Sequence, residues 1–201
     1  MAGRKIGTTG QARVLDEKEL RQVLRIVEIG NHSKRNTAVV ILSHYLGLRA
    51  KELAALKIGD VFESGATKKV LRLVAAYTKG SKHRDISIEN KTVIKALSDL
   101  LAERQEEDGA VFNENAPLFR SQKRSSFTPN TMARLLGEIY AKAGFKDASS
   151  HSGRRSLITK LAYAGIDVNS IRQIAGHSSI ATTQRYINDN PYVIAEIMKS
   201  I

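Results

Sequence analysis

The 201-residue chain contains no cysteine and no tryptophan, and it has three prolines and 5% aromatic residues. Without cysteine there are no disulfide bonds, no thiolate ligands for zinc and no cysteine nucleophile. Apolar runs such as Ala38 to Leu42 are much shorter than the roughly 20 residues of a membrane-spanning helix, and the first residues lack the apolar segment of a secretion signal. We therefore expect a cytoplasmic protein of one domain, or at most two.

Basic residues outnumber acidic ones by 32 to 20, which gives a formal charge of +12. The excess lies in residues 29–91 and 119–201, and an acidic segment at residues 92–118 separates these two basic blocks. One interpretation is an ordinary solvated surface with chance clustering of charge. The other is that both blocks fold onto one face and bind an anionic partner, most commonly nucleic acid. Composition alone leaves both interpretations open.

Hydrophobic periodicity predicts a mainly helical α+β protein with one small antiparallel sheet. A capping box of Asp16 and Glu19 opens the first helix, Ser33 is expected to cap the second, and Thr128 followed by Pro129 opens a later one. His44 lies in an apolar helical run and is expected in the core. Further helices are predicted at residues 50–56, 90–105, 129–143, 152–163, 167–175 and 179–187 and from Pro191, with strands at 61–62, 70–75 and 85–88.

Five short strings carry residue types that suit phosphate chemistry. Each is weak evidence alone, because a surface arginine, a turn lysine or a half-buried tyrosine is the commoner explanation. In chain order the strings are Gly47 to Leu53 (GLRAKEL), Thr78 to Arg84 (TKGSKHR), His151 to Arg155 (HSGRR), Gly176 to Ser178 (GHS) and Thr182 to Tyr186 (TTQRY).

Together the strings match the needs of phosphodiester cleavage without a metal ion. The transition state concentrates negative charge on the non-bridging oxygens, which Arg49 and Arg154 can bind through bidentate hydrogen bonds. A tyrosine hydroxyl can attack phosphorus once its proton is removed, a hairpin lysine can protonate the leaving oxygen, and histidines can transfer protons near neutral pH. The chain has no clear cluster of acidic ligands, so we expect neither a metal nor another cofactor.

The ordered set of Arg49, Lys79, His151-x-x-Arg154, Gly176-His177 and Tyr186 resembles the catalytic domain of the tyrosine recombinases, the phage-integrase group of site-specific DNA recombinases. The nine-residue step from His177 to Tyr186 is the usual one in that family. The resemblance covers about residues 14–190 and implies the catalytic fold of the family, which is mainly helical with a small antiparallel sheet.

The resemblance also implies how the scissile phosphate would be bound. Arg49 matches the first phosphate-binding arginine, in a string like the family's G-L-R-x-x-E-L, and Arg154 matches the second. His177 would hydrogen-bond the phosphate. Glu52 matches the acidic position of the family and would support the site rather than react.

The remaining matched residues would carry the reaction itself. Lys79 matches the hairpin lysine and would be the general acid, and His151 would be a proton acceptor. Tyr186 would form a 3′-phosphotyrosyl link and release a 5′-hydroxyl. Because that link conserves the energy of the phosphodiester bond, rejoining needs no ATP.

The sequence departs from the family pattern in two places. In the string at His151, Gly153 replaces a usual apolar residue and Arg155 replaces a frequent histidine, so Arg155 is an additional candidate phosphate contact. The catalytic pattern also begins without an N-terminal core-binding domain, as in an excised catalytic domain or a small recombinase resembling the fimbrial DNA invertases. We expect a flexible basic arm at residues 1–13, the catalytic domain at 14–190 and a tail helix at 191–201.

Several other residues are candidates for contact with double-stranded DNA. The helix from Pro129 corresponds to one that family members place in the major groove, and its candidate base readers are Asn130, Thr131 and Arg134. An ordinary solvated face is the alternative for each of them. Candidate phosphate contacts, which would position DNA without reading its sequence, are Lys68, Lys69, Lys82, Arg84, Arg120, Lys123 and Arg124.

The family also implies partners beyond DNA. Apolar residues after Tyr186 fall on one face of the predicted tail helix, which would dock either on the chain's own core or on a neighbouring protomer. We expect a monomer in solution, a tetrameric synapse on DNA and, in some settings, accessory DNA-bending proteins. In a bacterial cell the protein would be associated with the nucleoid.

Two other functions compete with recombination. A catalytically silent DNA-binding factor on the same fold is possible, but DNA binding alone does not require Tyr186 at its position. A nicking and relaxing activity like that of type IB topoisomerases would share the chemistry and would lack synapsis. Tyr192 follows Asn190-Pro191 and lacks the nine-residue step from His177, which makes it a poor alternative nucleophile.

Overall fold

The structure is a computed structural model that describes residues 12–74 and 83–188, with the last four of these as backbone only. Within these residues the chain is mainly helical, with short antiparallel strands between the fourth and fifth helices. In chain order the elements are α1 (Glu17–Glu28), α2 (Ser33–Tyr45), α3 (Ala50–Ala55), α4 (Ile58–Val61), β1 (Phe62–Glu63), β2 (Ala66–Thr67), β3 (Val70–Leu73), β4 (Arg84–Ser87), α5 (Lys91–Asp108), a 3₁₀ turn (Gly109–Val111), α6 (Pro129–Lys142), α7 (Ser152–Tyr163), α8 (Val168–Ala175) and α9 (Ile180–Asn188).

The starts of the helices follow the capping signals in most cases. The Asp16 carboxylate accepts from the Glu19 N–H at 2.8 Å and the Glu19 carboxylate accepts from the Asp16 N–H at 3.0 Å, which confirms the capping box of α1. Thr128 caps α6 as predicted. The prediction for Ser33 was wrong by one position. Ser33 is the first residue of α2, and the chain enters that helix through His32 in a left-handed conformation with φ 57°.

The predicted antiparallel pairing is present as two two-stranded ribbons among the described residues. β1 pairs with β2, and β3 pairs with β4 so that Val70 lies opposite Ser87. In β3 the side chains of Leu71 and Leu73 are buried while Val70 is exposed, which is the alternation expected of a half-buried strand.

Val61 was predicted in a strand but closes the short helix α4. Ile58 and Val61 are three positions apart and both are buried, so they lie on the same face of a helical turn. The Asp60 carboxylate accepts from the Lys57 N–H at 2.8 Å and caps this turn. The strand prediction for Val61 was therefore wrong, because the hydrophobic pattern of so short an apolar run does not distinguish a helical turn from a strand.

Helix α2 lies at the centre of the core. Its run Ala38 to Leu42 is completely buried, because the helix packs against α1, α5 and α7. His44 is also buried on α2, as predicted, and burial lowers its pKa to about 4. Helix α2 leads directly into the turn at Gly47, so a buried helix of the core positions the residues that follow this turn.

The segment before α1 is held against the body of the protein. Arg13 was predicted in a flexible arm, but its guanidinium hydrogen-bonds Asp147 at 2.9 Å, pairs with Glu19 and lies over the ring of Phe145. The N–H of Leu15 donates to the Ser156 hydroxyl at 2.8 Å, which attaches the segment to α7. The flexible-arm prediction was therefore wrong for Arg13, and residues 1–11 lie outside the described residues. In the described part of the chain, no helix is long and apolar enough to cross a membrane.

Candidate active site

Three connections between helices bring the candidate residues together. The turn between α2 and α3 carries Arg49, the start of α7 carries His151 and Arg154, and the turn between α8 and α9 carries His177. Gly47 makes the first turn possible, because it has φ +62° and a Cβ there would lie 2.9 Å from the Leu157 side chain. Residues that are more than a hundred positions apart in sequence therefore share one site.

A single buried carboxylate organises the arginines. Glu52 is 1% exposed, and its oxygens accept from the Arg49 guanidinium at 2.7 Å, the Arg49 N–H at 2.8 Å and the Arg84 guanidinium at 3.2 Å. Charge-assisted hydrogen bonds of this kind satisfy a buried carboxylate and fix the orientation of both guanidiniums. Glu52 therefore links Arg49 and Arg84 to each other through its carboxylate.

The guanidiniums of Arg49, Arg84 and Arg154 all contact the end of α8. Arg49 donates to the Gly176 carbonyl at 3.1 Å, and Arg84 donates to the Ile174 carbonyl at 2.9 Å. Arg154 is 2% exposed and donates to the Ala175 carbonyl and, at 2.7 Å, to the Gly47 carbonyl. These bonds satisfy carbonyls at the end of α8 that have no partner within the helix, and they join the three connections into one unit.

Gly176 allows this close approach. It has φ +60°, and a Cβ at this position would lie 2.9 Å from the guanidinium of Arg84. Both the left-handed backbone and the neighbouring side chain therefore favour glycine here. Packing within the site therefore favours glycine at the position before His177.

Both candidate histidines are biased towards the neutral form. The pKa of His177 falls to about 3, because the ring is buried and because Arg154, Arg49 and Arg84 are close to it. The pKa of His151 is lowered by desolvation and by Arg154 and Arg49. At neutral pH both rings are therefore uncharged, so each has one nitrogen that donates and one that accepts.

His177 is attached to the helix that follows it. Nδ1 of His177 and Oγ1 of Thr183 are hydrogen-bonded at 2.9 Å, and Thr183 is completely buried on α9. Tyr186 lies three residues further along the same helix, which places Tyr186 and Thr183 on one face of α9. The side chain of Tyr186 lies outside the described residues, as do Lys79, Lys82 and the tail from residue 189.

The charge of this site suits an anionic ligand. Three guanidiniums surround one carboxylate, and the two neutral histidines add hydrogen-bonding groups without removing positive charge. Planar arginines in such an arrangement bind the oxygens of a phosphodiester well. No group of His, Cys, Asp and Glu in residues 12–74 and 83–188 is arranged to hold a metal ion.

The structure gives three of the candidate DNA contacts other interactions. Arg84 lies inside the site, with its side chain 9% exposed. Arg120 forms an ion pair with the buried carboxylate of Asp108, which Arg104 also contacts at 3.0 Å. Arg155 is half-buried and donates to the Ala12 carbonyl at 2.9 Å. Each of these guanidiniums has a partner within the fold.

Three of the other described candidates line one cleft at the surface. Lys123, Thr131 and Arg134 line a cleft of about 510 Å³ between the loop before α6 and the first turns of that helix. Thr131 is part of the cap of α6, because its hydroxyl accepts from the Thr128 N–H at 2.9 Å. Other candidates lie outside the cleft lining and are exposed, except Lys68, which is half-buried: Lys68, Lys69, Arg124 and Asn130.

Sequence reasoning missed two residues of the site. Thr183 was part of a quoted string, but nothing assigned it a role, and its only signal was a small polar residue three positions before Tyr186. Gly153 was noted only as a departure from the pattern. A Cβ there would lie 2.5 Å from the Ser43 hydroxyl and 2.9 Å from the Ser43 backbone, so Gly153 permits the contact between α2 and α7.

Known proteins resemble both the sequence and the fold. Residues 13–192 match the model of the phage integrase family. The tyrosine recombinase XerC of Myxococcus xanthus is 34% identical over 176 residues, which are 86% of this chain and 54% of that protein. This chain therefore spans about half the length of that relative.

Solved structures agree with the sequence comparison. The crystal structure of XerA recombinase superposes with a TM-score of 0.76 and 28% identity, over 94% of this chain and 65% of that one. The post-cleavage complex of the XerH site-specific recombinase with palindromic difH substrate superposes with a TM-score of 0.70 and 24% identity, over 92% of this chain and 52% of that one. The second likeness concerns the fold alone.

Proposed function

The chain belongs to the phage integrase family, and from this premise we propose that it cleaves and rejoins DNA strands as the catalytic part of a site-specific tyrosine recombinase. The observation that carries the proposal is the convergence of Arg49, Arg154 and His177 on the turn between α8 and α9. A silent DNA-binding factor has no need for a buried arginine, a half-buried arginine and a neutral histidine beside the helix that carries Tyr186.

The first step of the proposed reaction is binding of the scissile phosphate. Arg49 and Arg154 hold the two non-bridging oxygens, whose charge increases as Tyr186 attacks phosphorus. His177, which is neutral, donates a hydrogen bond to the same group. Glu52 holds Arg49 in place and backbone carbonyls hold Arg154, so little reorganisation is needed in the transition state.

Proton transfer completes cleavage. His151 is neutral beside two arginines, so it can accept a proton during attack by the Tyr186 hydroxyl. Lys79 protonates the departing 5′-oxygen, and the product is a 3′-phosphotyrosyl link. Attack on that link by a 5′-hydroxyl reverses these steps and rejoins the strands, without ATP and without a metal ion.

The proposed partners follow from this chemistry. Double-stranded DNA is the substrate, and further protomers assemble on it in a tetrameric synapse, with accessory DNA-bending proteins in some settings. The protein acts in the cytoplasm and, if its host is a bacterium, at the nucleoid. The matched part of this chain corresponds to about half the length of the Myxococcus xanthus relative, and a DNA-clamping domain of the kind expected in the family would strengthen binding.

Covalent trapping tests the proposal. A pool of duplexes with a randomised centre and one nick per strand would be incubated with the protein in EDTA, so that cleavage releases a short fragment and prevents rejoining. Adducts that survive denaturation would be separated on a gel, and their DNA would be sequenced. We expect a wild-type adduct that maps to one preferred sequence and is lost in Tyr186→Phe.

Two other tyrosines supply matched controls for the trapping experiment. Tyr163→Phe and Tyr192→Phe should both retain the adduct, because neither residue has the nine-residue step from His177. If the adduct persists in Tyr186→Phe, the assigned nucleophile is wrong. If wild type binds DNA but forms no adduct, the silent DNA-binding factor is the better description.

A further inference from the structure

The hydroxyl of Thr183 contacts a ring nitrogen of His177. Its Oγ1 lies 2.9 Å from Nδ1 of His177, and both side chains are buried. The hydroxyl of threonine can either donate or accept in such a bond. The direction it takes decides which nitrogen of the neutral imidazole carries the proton.

The two directions have different chemical consequences. If the Thr183 hydroxyl donates, Nδ1 accepts and the proton of the neutral ring is on Nε2. If Nδ1–H donates instead, Nε2 has only a lone pair, which repels an anionic phosphate oxygen. Burial of the ring, together with the three neighbouring arginines, lowers the pKa of His177 to about 3, so the ring is not doubly protonated at neutral pH.

We propose that Thr183 is a positioning residue that donates its hydroxyl proton to Nδ1 of His177 and so holds His177 in the tautomer that donates from Nε2. This inference rests on the proposed function for the role of the phosphate, while the hydrogen bond itself is independent of it. Thr183 does not touch the reacting atoms. It acts through the histidine, as the orienting group of a catalytic triad acts through its base.

The position of Thr183 gives the bond a second consequence. Helix α9 carries both Thr183 and Tyr186, whereas His177 lies in the turn before the helix. The contact can form only when α9 is packed against that turn, because Thr183 must be buried to reach the ring. The histidine is therefore set in its donating tautomer by the same packing that holds the helix of the nucleophile.

Nitrogen NMR of the histidine ring tests the proposal without any requirement for activity. Protein labelled with ¹⁵N in the histidine ring would be measured at neutral pH as wild type, Thr183→Val, Thr183→Ser and Thr182→Val, with His177→Gln to assign the signal. Valine keeps the shape of threonine and removes the hydroxyl, and serine keeps the hydroxyl. Thr182→Val makes the same change one residue earlier on α9.

We expect the Nε2–H tautomer of His177 in wild type, Thr183→Ser and Thr182→Val, and a mixture of tautomers in Thr183→Val. A wild-type ring protonated on Nδ1 would overturn the proposal, since Thr183 would then be the acceptor. A Thr183→Val ring that keeps the wild-type tautomer would overturn it as well, because the hydroxyl would then not be the cause.

Trapping rates add a functional measurement. We expect Thr183→Val to slow adduct formation by about 10- to 100-fold with unchanged DNA affinity, which is less than the roughly 100- to 1,000-fold cost of removing a whole oxyanion donor. Thr183→Ser should restore most of the rate. If wild type forms no adduct, the proposed function fails while the NMR result still decides the role of Thr183. An adduct rate unchanged in Thr183→Val would show that the tautomer does not limit cleavage.

Discussion

Arg84 and Glu52 stabilise the site without being candidates for the chemistry. The Arg84 guanidinium connects the Glu52 carboxylate, at 3.2 Å, to the Ile174 carbonyl, at 2.9 Å, and so joins the first turn of α3 to the end of α8. Burial lowers the pKa of Arg84, an effect that the carboxylate of Glu52 opposes. A guanidinium can make both bonds because its donors form a planar fork, which an ammonium group lacks.

Replacement of Arg84 by lysine should therefore harm the protein despite the retained charge. We expect Arg84→Lys to lower the free energy of unfolding by about 2 kcal/mol, since one carbonyl or carboxylate loses its buried partner. Urea denaturation would measure this loss. The matched control is Arg72→Lys on the same ribbon, where an exposed Arg72–Asp85 pair should leave the midpoint unchanged. Equal effects of the two substitutions would contradict the bridging role of Arg84.

The partners of the arginines were the part of the site that could be predicted least well from the sequence. The order and spacing of Arg49, Arg154 and His177 were sufficient to nominate them, because the chemistry needs those residue types together. The inward orientation of Arg84 and Arg120 depends on Glu52 and Asp108, which lie on other elements. A basic residue in a loop looks the same in sequence whether it meets DNA or a buried carboxylate.

At the scale of elements, the contact between α2 and α7 determines where Arg154 lies. Gly153 brings the first turn of α7 against Ser43 of α2, with no room for a Cβ between the two backbones. The helices are consequently close at the point where Arg154 reaches the Gly47 carbonyl. The apolar residue that the family usually has at this position would need a wider spacing of the two helices.

The close contact can be tested with two glycines in helices. Gly153→Ala should lower the free energy of unfolding by about 1–3 kcal/mol through overpacking. Gly137→Ala, on α6 with nothing within 4 Å of the added Cβ, should raise it by up to about 1 kcal/mol through helix propensity. Thermal unfolding of both variants would measure the difference. If Gly153→Ala stabilised the protein instead, α2 and α7 would be able to move apart without a loss in the free energy of unfolding.

Elements with their own local signals were predicted well, and elements stabilised by distant contacts were not. Helices α1 and α6 start at the side-chain caps that their sequences contain. The helical turn α4 was missed because a segment of four residues is too short to show a helical periodicity in its sequence. The segment at Arg13 was expected to be free, since its partner Asp147 is 134 positions away in sequence.

At the scale of the whole molecule, two contrasting groups of basic residues contribute to the +12 charge. One consists of arginines with partners inside the fold, such as Arg84, Arg120 and Arg155. The other is exposed around the cleft at the start of α6, where Lys123 and Arg134 lie. Because arginines of the first group have partners within the fold, the number of ions released on binding is expected to depend on where each charge lies and not only on the net charge.

The dependence of DNA affinity on salt should therefore follow the position of a charge rather than the total charge. Lys123→Gln and Arg134→Gln should each reduce the slope of log K against log[salt] by about 0.9, the value for one phosphate contact on duplex DNA. Lys95→Gln removes the same charge from exposed α5, in the acidic segment, and should leave the slope unchanged. Fluorescence anisotropy with one labelled duplex at several potassium chloride concentrations would measure all three variants.

If Lys95→Gln reduces the slope as much as the other two, long-range net charge attracts DNA and the cleft is not its binding surface. If only the cleft variants change it, the first turns of α6 lie against the phosphate backbone.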